Sequence, residues 1–238
     1  MKKVKECNQM KKIRKKHIIA TLMLLIAAVF SLTGCGGIME LFGGGKSFDA
    51  SRYVKGCLDA STKGVFEDYI ATTNETEEQA KKEYEEKLDS EVKSITGTVA
   101  LDEKQQESWR AIFKDIYSKY KYEVGEAVKG DEMTFTVPVK TFRLKLFKTS
   151  FDEAQKKLEA EMEKMVKKKK TPSNDEIMKL YLDEMAKILE KKLENPEYAE
   201  EETINVTIKV NHSTNEYEID DASITSLFAA LDDIDDIK

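Results

Sequence analysis

Two hydrophobic periodicities alternate along the chain, and each predicts a different kind of element. Between residues 48 and 120, apolar side chains recur every three to four positions, which predicts four helices that each bury one face. The third helix shows the pattern most clearly, because its other positions are almost all charged; its apolar positions are Ala80, Tyr84, Leu88, Val92 and Ile95. The fourth carries the most aromatic face, Trp109, Phe113 and Tyr117, so we expect it at the centre of the core.

Capping motifs set the expected helix boundaries. A capping box, in which Ser or Thr is followed three residues later by Glu or Gln, fits residues 76–79, 150–153 and 173–176. These motifs predict the start of the third helix and the starts of a helical pair that spans about residues 150–195. Asp102 is placed to cap the fourth helix.

Strict alternation of apolar and polar residues predicts two β-hairpins. The first leaves through Tyr120, Tyr122 and Val124, turns at residues 129–131 and returns through Met133, Phe135, Val137 and Val139. The second has its apolar positions at Ile204, Val206, Ile208, Val210, Tyr217 and Ile219. Pro138 has no backbone N–H, so we expect it on an edge strand or at a bulge.

The order of these elements predicts an α+β fold. The N-terminal helices precede the first hairpin, the helical pair precedes the second hairpin, and a short helix and an acidic tail follow. We therefore expect N-terminal helices packed on a curved antiparallel sheet of about four strands, with a helical-hairpin insert (150–195) between the two β-hairpins. Residues 48–238 are numerous enough to form a single domain with a substantial core.

The N-terminal segment has the composition of a signal peptide. Residues 1–34 contain eight Lys or Arg and one Glu, and their basic head precedes an apolar run at residues 18–30. That run of about 13 residues is shorter than the roughly 20 that span a bilayer. The leader carries +7, so the whole-chain charge of −6 leaves −13 on residues 35–238. An acidic mature chain disfavours nucleic-acid binding.

The leader ends in Leu32, Thr33, Gly34 and Cys35, which resembles the lipobox of bacterial prolipoproteins. The resemblance implies cleavage between Gly34 and Cys35 and a diacylglyceryl group on the Cys35 thiol. The chain would then be anchored on the extracytoplasmic face of the cell membrane, because two acyl chains provide stable attachment. The glycine-rich residues 35–47 form the expected flexible tether. The absence of Asp at position 36 favours a Gram-positive cell.

The expected domain resembles the NTF2-like and cystatin-like domains of small Gram-positive lipoproteins. The local matches are the first helix, at residues 48–54, and the last strand, at residues 217–221, and neither contains a catalytic motif. The concave face of such a curved sheet often holds a small pocket. The candidate lining residues are Tyr120, Tyr122, Phe135 and Val137, whose spacing is also typical of plain core.

The sequence offers few residues for catalysis or metal binding. His17 belongs to the leader, His212 lies in a predicted turn, and Cys57 is the one cysteine of the mature chain besides Cys35. A Ser-His-Asp or Cys-His enzyme and a zinc site of the usual kind are therefore not expected. We predict no metal and no cofactor. We interpret the acidic run at residues 232–236 as a solvated tail rather than a calcium loop.

Three functions fit these observations. The first is a non-enzymatic binding or interaction module that is held at the membrane by its lipid anchor. The second is a small-molecule hydrolase or isomerase that uses an NTF2-like pocket. The third is a structural envelope protein that docks a partner through the helical pair. The strands show apolar inward positions without a polar residue among them, which favours the first function.

Overall fold

The computed structural model describes residues 48–97, 99–131, 133–168, 172–211 and 216–234. The predicted signal peptide, the lipobox and the tether lie outside these residues, and so does His212. Within the described residues the chain forms seven α-helices and five strands around one hydrophobic core.

Four helices form the N-terminal part of the domain: α1 Ala50–Leu58, α2 Glu67–Thr72, α3 Glu77–Thr96 and α4 Glu103–Ser118. Helix α1 runs into one π-helical turn, Asp59–Lys63, which Gly64 ends in the left-handed conformation with φ of 63°. The predicted cap residues Thr76 and Asp102 each form a complete capping box with the glutamine three residues later. Trp109 of α4 is 3% exposed, as the aromatic face predicts.

Five strands form one antiparallel sheet: β1 Lys121–Val124, β2 Val128–Lys129, β3 Phe135–Leu144, β4 Tyr198–Asn211 and β5 Glu216–Ile219. The strand order is β1-β3-β4-β5, and β2 pairs with β3 on the same side as β1. The inward residues Val137, Val139 and Val206 are completely buried, as the alternation predicts. The α+β class, with helices followed by an antiparallel sheet of four main strands, is confirmed.

Pro138 lies inside the sheet, which corrects the expectation of an edge strand. Strand β3 pairs with β4 on one side and with β1 and β2 on the other. The Pro138 carbonyl accepts a hydrogen bond from the Gly125 N–H at 2.8 Å. Because the N–H and C=O of one strand residue point to the same neighbour, the missing donor faces the gap between β1 and β2. The proline is tolerated because the neighbouring strand is interrupted there, at residues 125–127.

The helical pair is present between β3 and β4 as two helices, α5 Phe147–Lys167 and α6 Asn174–Leu193. Ser173 caps α6 in the predicted capping box. The box predicted at residues 150–153 is wrong, because α5 begins before it and the Ser150 hydroxyl donates to the Leu146 carbonyl at 2.6 Å. Helix α6 packs on α5 and α4, and its buried residues belong to the main core: Leu182, Met185, Ile188, Leu189 and Leu193.

A last helix, α7 Asp221–Ala229, follows β5 and packs on β4. Asp220 caps α7 by accepting hydrogen bonds from the Ala222 and Ser223 N–H groups. Beyond α7 the chain runs along the end of β3, where the Leu144 N–H donates to the Leu231 carbonyl at 2.9 Å. Residues 231–234 therefore belong to the folded domain, and we call them the C-terminal clasp.

Candidate functional site

The four candidate pocket residues fall into two environments. Tyr122, Phe135 and Val137 share the face of the sheet that the helices cover, because Tyr122 lies opposite Thr141 on β3 and β3 alternates from there to Phe135. Val137 is completely buried, whereas Tyr122 and Phe135 are half-buried. Tyr120 lies before β1 and is buried against the C-terminal clasp. A pocket lined by all four residues stays a prediction.

An aromatic cluster holds Phe48, the first described residue, against the sheet. The Phe48 ring stacks on the Tyr217 ring with 4.0 Å between centroids, and its edge meets Phe135 at 5.3 Å. The Tyr53 hydroxyl donates to the Tyr217 carbonyl at 3.2 Å. The segments at residues 48–54 and 217–221 thus meet in space.

A buried carboxylate joins the π-helical turn to the sheet. Asp59 is 7% exposed and accepts hydrogen bonds from Lys55 at 2.7 Å, Lys63 at 3.0 Å and the Tyr122 hydroxyl at 2.6 Å. Burial opposes ionisation of Asp59, but the hydrogen bonds from Lys55, Tyr122 and Lys63 outweigh it and hold its pKa below the ordinary value. Burial, with the bond to Asp59, raises the pKa of Tyr122. The group is therefore an ionised acceptor that ties α1 to β1.

A second polar cluster lies between α3, α4 and the π-helical turn. The Lys87 ammonium donates to the Ser61 carbonyl at 2.8 Å and lies 4.2 Å from the centre of the Tyr117 ring. The Tyr117 hydroxyl donates to Glu91 at 2.7 Å, one turn along α3 from Lys87. Burial lowers the pKa of Lys87 to about 8 and raises the pKa of Glu91, although each charge favours the other. An amine with this pKa titrates at mildly alkaline pH.

The C-terminal clasp carries two buried aspartates, which corrects the prediction of a solvated tail for the part of residues 232–236 that the structure describes. Asp232 accepts a hydrogen bond from the Tyr120 hydroxyl, and its carbonyl accepts one from Arg143 at 2.7 Å. The Asp233 carboxylate accepts hydrogen bonds from the first backbone N–H groups of α5, at Leu146 (3.0 Å), Phe147 (2.6 Å) and Lys148 (3.3 Å). Asp233 therefore supplies the cap that Ser150 was expected to provide.

The remaining sequence candidates divide between described and undescribed residues. Gly34 and Cys35, the predicted cleavage and lipidation site, lie outside the described residues, so their role stays a prediction. Cys57 is buried and forms no disulfide within the described chain. No group of three or more His, Cys, Asp or Glu side chains among the described residues is arranged to hold a metal ion. A search of the same residues finds no helix with the length and apolar character needed to cross a membrane.

Sequence reasoning missed both buried polar clusters, although part of the signal was present. Lys55 and Lys63 lie four residues before and after Asp59, which is the spacing of helical ion pairs. Lys87 and Glu91 directly precede the stripe residues Leu88 and Val92, so they border the buried face of α3. Their long-range partners, the Tyr122 and Tyr117 hydroxyls, leave no local signal.

No protein-family model matches the sequence, and no curated protein matches it. Among solved structures, the chain is similar to the crystal structure of a candidate lipoprotein, ycdA, from Bacillus subtilis subsp. subtilis str. 168. The two chains share 15% sequence identity with a TM-score of 0.54, and the match covers 77% of this chain and 56% of that chain. This chain thus spans little more than half the length of that protein, and a likeness at this identity shows the fold alone.

Proposed function

We propose that the chain is an extracytoplasmic lipoprotein whose domain, residues 48–238, serves as a non-enzymatic interaction module. The observation that carries the proposal is the sequence Leu32, Thr33, Gly34, Cys35 at the end of a basic and apolar leader. Diacylglycerol on the Cys35 thiol then holds the mature chain at the membrane. The fold that this chain shares with a candidate Bacillus lipoprotein supports the proposal.

The distance along the chain between Cys35 and Phe48 is compatible with a domain that is attached to the membrane through a short tether. Phe48, the first described residue, is packed against Tyr217 and Phe135, and it lies thirteen residues after Cys35. A tether of that length, residues 35–47, reaches at most about 45 Å from the lipid surface when fully extended. The domain can therefore present any of its faces to a partner in the envelope.

Four buried carboxylates favour an interaction module over an enzyme. The carboxylates of Asp59, Glu91 and Asp233 each accept hydrogen bonds from protein donors, and so does that of Asp232. Asp59 joins the π-helical turn to β1, Glu91 joins α3 to α4, and Asp233 joins the C-terminal clasp to the start of α5. A catalytic acid or base needs instead to reach a substrate proton.

The test compares membrane-extracted protein by intact mass. We expect a chain that has lost residues 1–34 and gained a diacylglyceryl group, and we expect Cys35→Ala to keep the leader and to lack the lipid. Cys7→Ala is the matched control, because it removes a leader thiol outside the lipobox and should be processed normally. Recovery of Cys35→Ala in the same processed, membrane-bound form as the native chain would refute the proposal.

A further inference from the structure

Part of one sheet edge lacks a partner among the described residues. Strand β4 has 14 residues, but β5 pairs only with the last four, from Ile208 to Asn211. The preceding residue, Thr207, is covered, because its N–H donates to the Ser223 hydroxyl at 2.9 Å and its carbonyl accepts from the Asp220 N–H at 3.0 Å. From Asn205 back towards the start of β4, no described element forms a hydrogen bond to this edge.

The register of β4 on β3 shows which backbone groups point outward. Thr207 points away from β3, and the pairing continues without a bulge to Glu201, so Asn205, Thr203 and Glu201 point the same way. Pro138 supports this assignment: it lies opposite Asn205, and its carbonyl is turned to the other side of β3. The three outward residues are exposed. They present six hydrogen-bonding groups along about 14 Å of strand.

The other edges of the sheet have features that normally prevent another strand from pairing with them. The opposite edge is divided into β1 and β2 by the gap at residues 125–127. Strand β5 is only four residues long, and three of them are buried. Among the described residues, the edge at residues 201–205 has neither a bulge nor a proline nor a covering helix, and the register shift of β4 on β3 lies beyond it, between Glu201 and Tyr198. The backbone at residues 201–205 can therefore accept a strand.

The charge on this edge specifies the kind of strand. Glu200, Glu201 and Glu202 are consecutive and exposed. Alternation places Glu201 and Glu202 on opposite faces, whereas Glu200 lies at the register shift between β4 and residues 142–144 of β3. Lys140 lies 3.5 Å from Glu201, whereas Glu200 and Glu202 form no ion pair within the described chain. A strand added here passes between acidic groups on both faces. The sequence that complements this edge has successive Lys or Arg residues opposite Glu200–202. Opposite residues 203–205 it has β-branched residues, which favour the strand conformation.

We propose that the outer edge of β4 at residues 201–205 binds an extended, basic segment of a partner protein as an added strand. This inference rests on the proposed function, because it names the surface and the class of partner of the interaction module. Main-chain hydrogen bonds supply the attachment, and the glutamates select basic sequences. The alternative is that the glutamates only prevent edge-to-edge association, in which case no basic segment binds.

The test uses the full chain and a fluorescein-labelled peptide, Thr-Val-Thr-Arg-Lys-Arg, whose order fits antiparallel pairing with residues 200–205. Binding is measured by fluorescence anisotropy for the membrane-extracted protein in detergent and for its Cys35→Ala variant. Two control peptides carry Glu in place of the basic residues, or N-methyl groups on alternate backbone nitrogens that block strand pairing. Cys35→Ala changes the anchor and leaves the edge of β4 intact. If the anchor proposal fails, peptide binding to this edge is still measurable, so the two failures are distinguished.

The decisive variant is Thr203→Pro, which removes an outward N–H at a position where an edge strand tolerates proline. We expect it to weaken binding about tenfold, since one main-chain hydrogen bond is lost and its acceptor on the added strand is left unpaired. The matched control Thr203→Val keeps the N–H and should bind within about twofold of the native chain. The double variant Glu200→Gln, Glu202→Gln should bind about fivefold more weakly, as expected for two exposed ion pairs.

Three results overturn the proposal. They are absence of binding at millimolar peptide, equal binding by the N-methylated peptide, and equal binding by the folded Thr203→Pro variant. Equal binding in either of the last two cases identifies adsorption by charge alone. If Thr203→Pro does not fold, as circular dichroism would show, the N-methylated peptide still decides the question.

Discussion

Replacement of Asp233 by alanine tests whether the C-terminal clasp caps α5. In the native chain the Asp233 carboxylate accepts hydrogen bonds from three backbone N–H groups, and Asp233 is 6% exposed. Loss of a helix cap costs about 0.5–2 kcal/mol. The Lys148 N–H can turn to water because that residue is exposed, but Leu146 and Phe147 are buried. Each of these two buried amides, left without an acceptor, costs about 1–3 kcal/mol, which exceeds the loss of an ordinary exposed cap, so we expect a total loss of about 2–6 kcal/mol.

Urea unfolding of the mature chain measures this loss. The chain has one tryptophan, Trp109, which is 3% exposed, so its fluorescence reports on the core. At about 2–4 °C per kcal/mol for a domain of this size, the midpoint of thermal unfolding should fall by roughly 5–25 °C. Asp233→Asn should lower the free energy of unfolding less than Asp233→Ala, because the amide oxygen of asparagine still accepts one of the hydrogen bonds from the start of α5. The reasoning is refuted if Asp233→Ala is no more destabilising than the control Asp221→Ala, whose exposed side chain forms no hydrogen bond within the described chain.

Two further predictions concern the helices. In an exposed helix Gly→Ala stabilises the protein by about 1 kcal/mol. At Gly56, however, a Cβ would lie 2.6 Å from the Tyr69 nitrogen, so we expect Gly56→Ala to destabilise the domain by about 1–3 kcal/mol. An unchanged or higher melting temperature of the variant would contradict this prediction. The pKa of Lys87 is lowered to about 8 in the folded chain from an ordinary value of 10.5, so above pH 8 the unfolded chain binds more protons and stability rises with pH. Between pH 7.5 and pH 9, Lys87 should contribute a slope of up to about 1.4 kcal/mol per pH unit to the free energy of unfolding, measured by urea unfolding. Lys87→Met should remove this contribution. Equal slopes in the native chain and the variant would show that Lys87 does not have the lowered pKa.

Much of the fold could be predicted from the sequence, because its signals are local. Thr76, Asp102 and Ser173 form caps with residues three positions away, and the alternation of β3 and β4 depends on neighbours two positions apart. The cap of α5 could not be predicted in this way. Ser150 fits the local pattern, but the acceptor is Asp233, 86 residues from Phe147.

The candidate sites were less predictable than the fold. An acidic C-terminal run is usually solvated, and only the tertiary arrangement shows that Asp232 lies against Tyr120. The open edge of β4 also has no local signature, because it depends on how far β5 extends along its neighbour. The glutamates at residues 200–202 identify an acidic surface, whereas the unpaired backbone beside them is a property of the assembled sheet.

The C-terminal clasp has a consequence for the order in which the chain matures. Its aspartates lie within the last seven residues, and they complete the start of α5 and the end of β3. A chain that emerges N-terminus first from a ribosome lacks these groups until every other described helix and strand has emerged. The start of α5 therefore gains its cap only after the rest of the described domain is present, and a chain cut before residue 232 leaves the buried N–H groups of Leu146 and Phe147 without this acceptor.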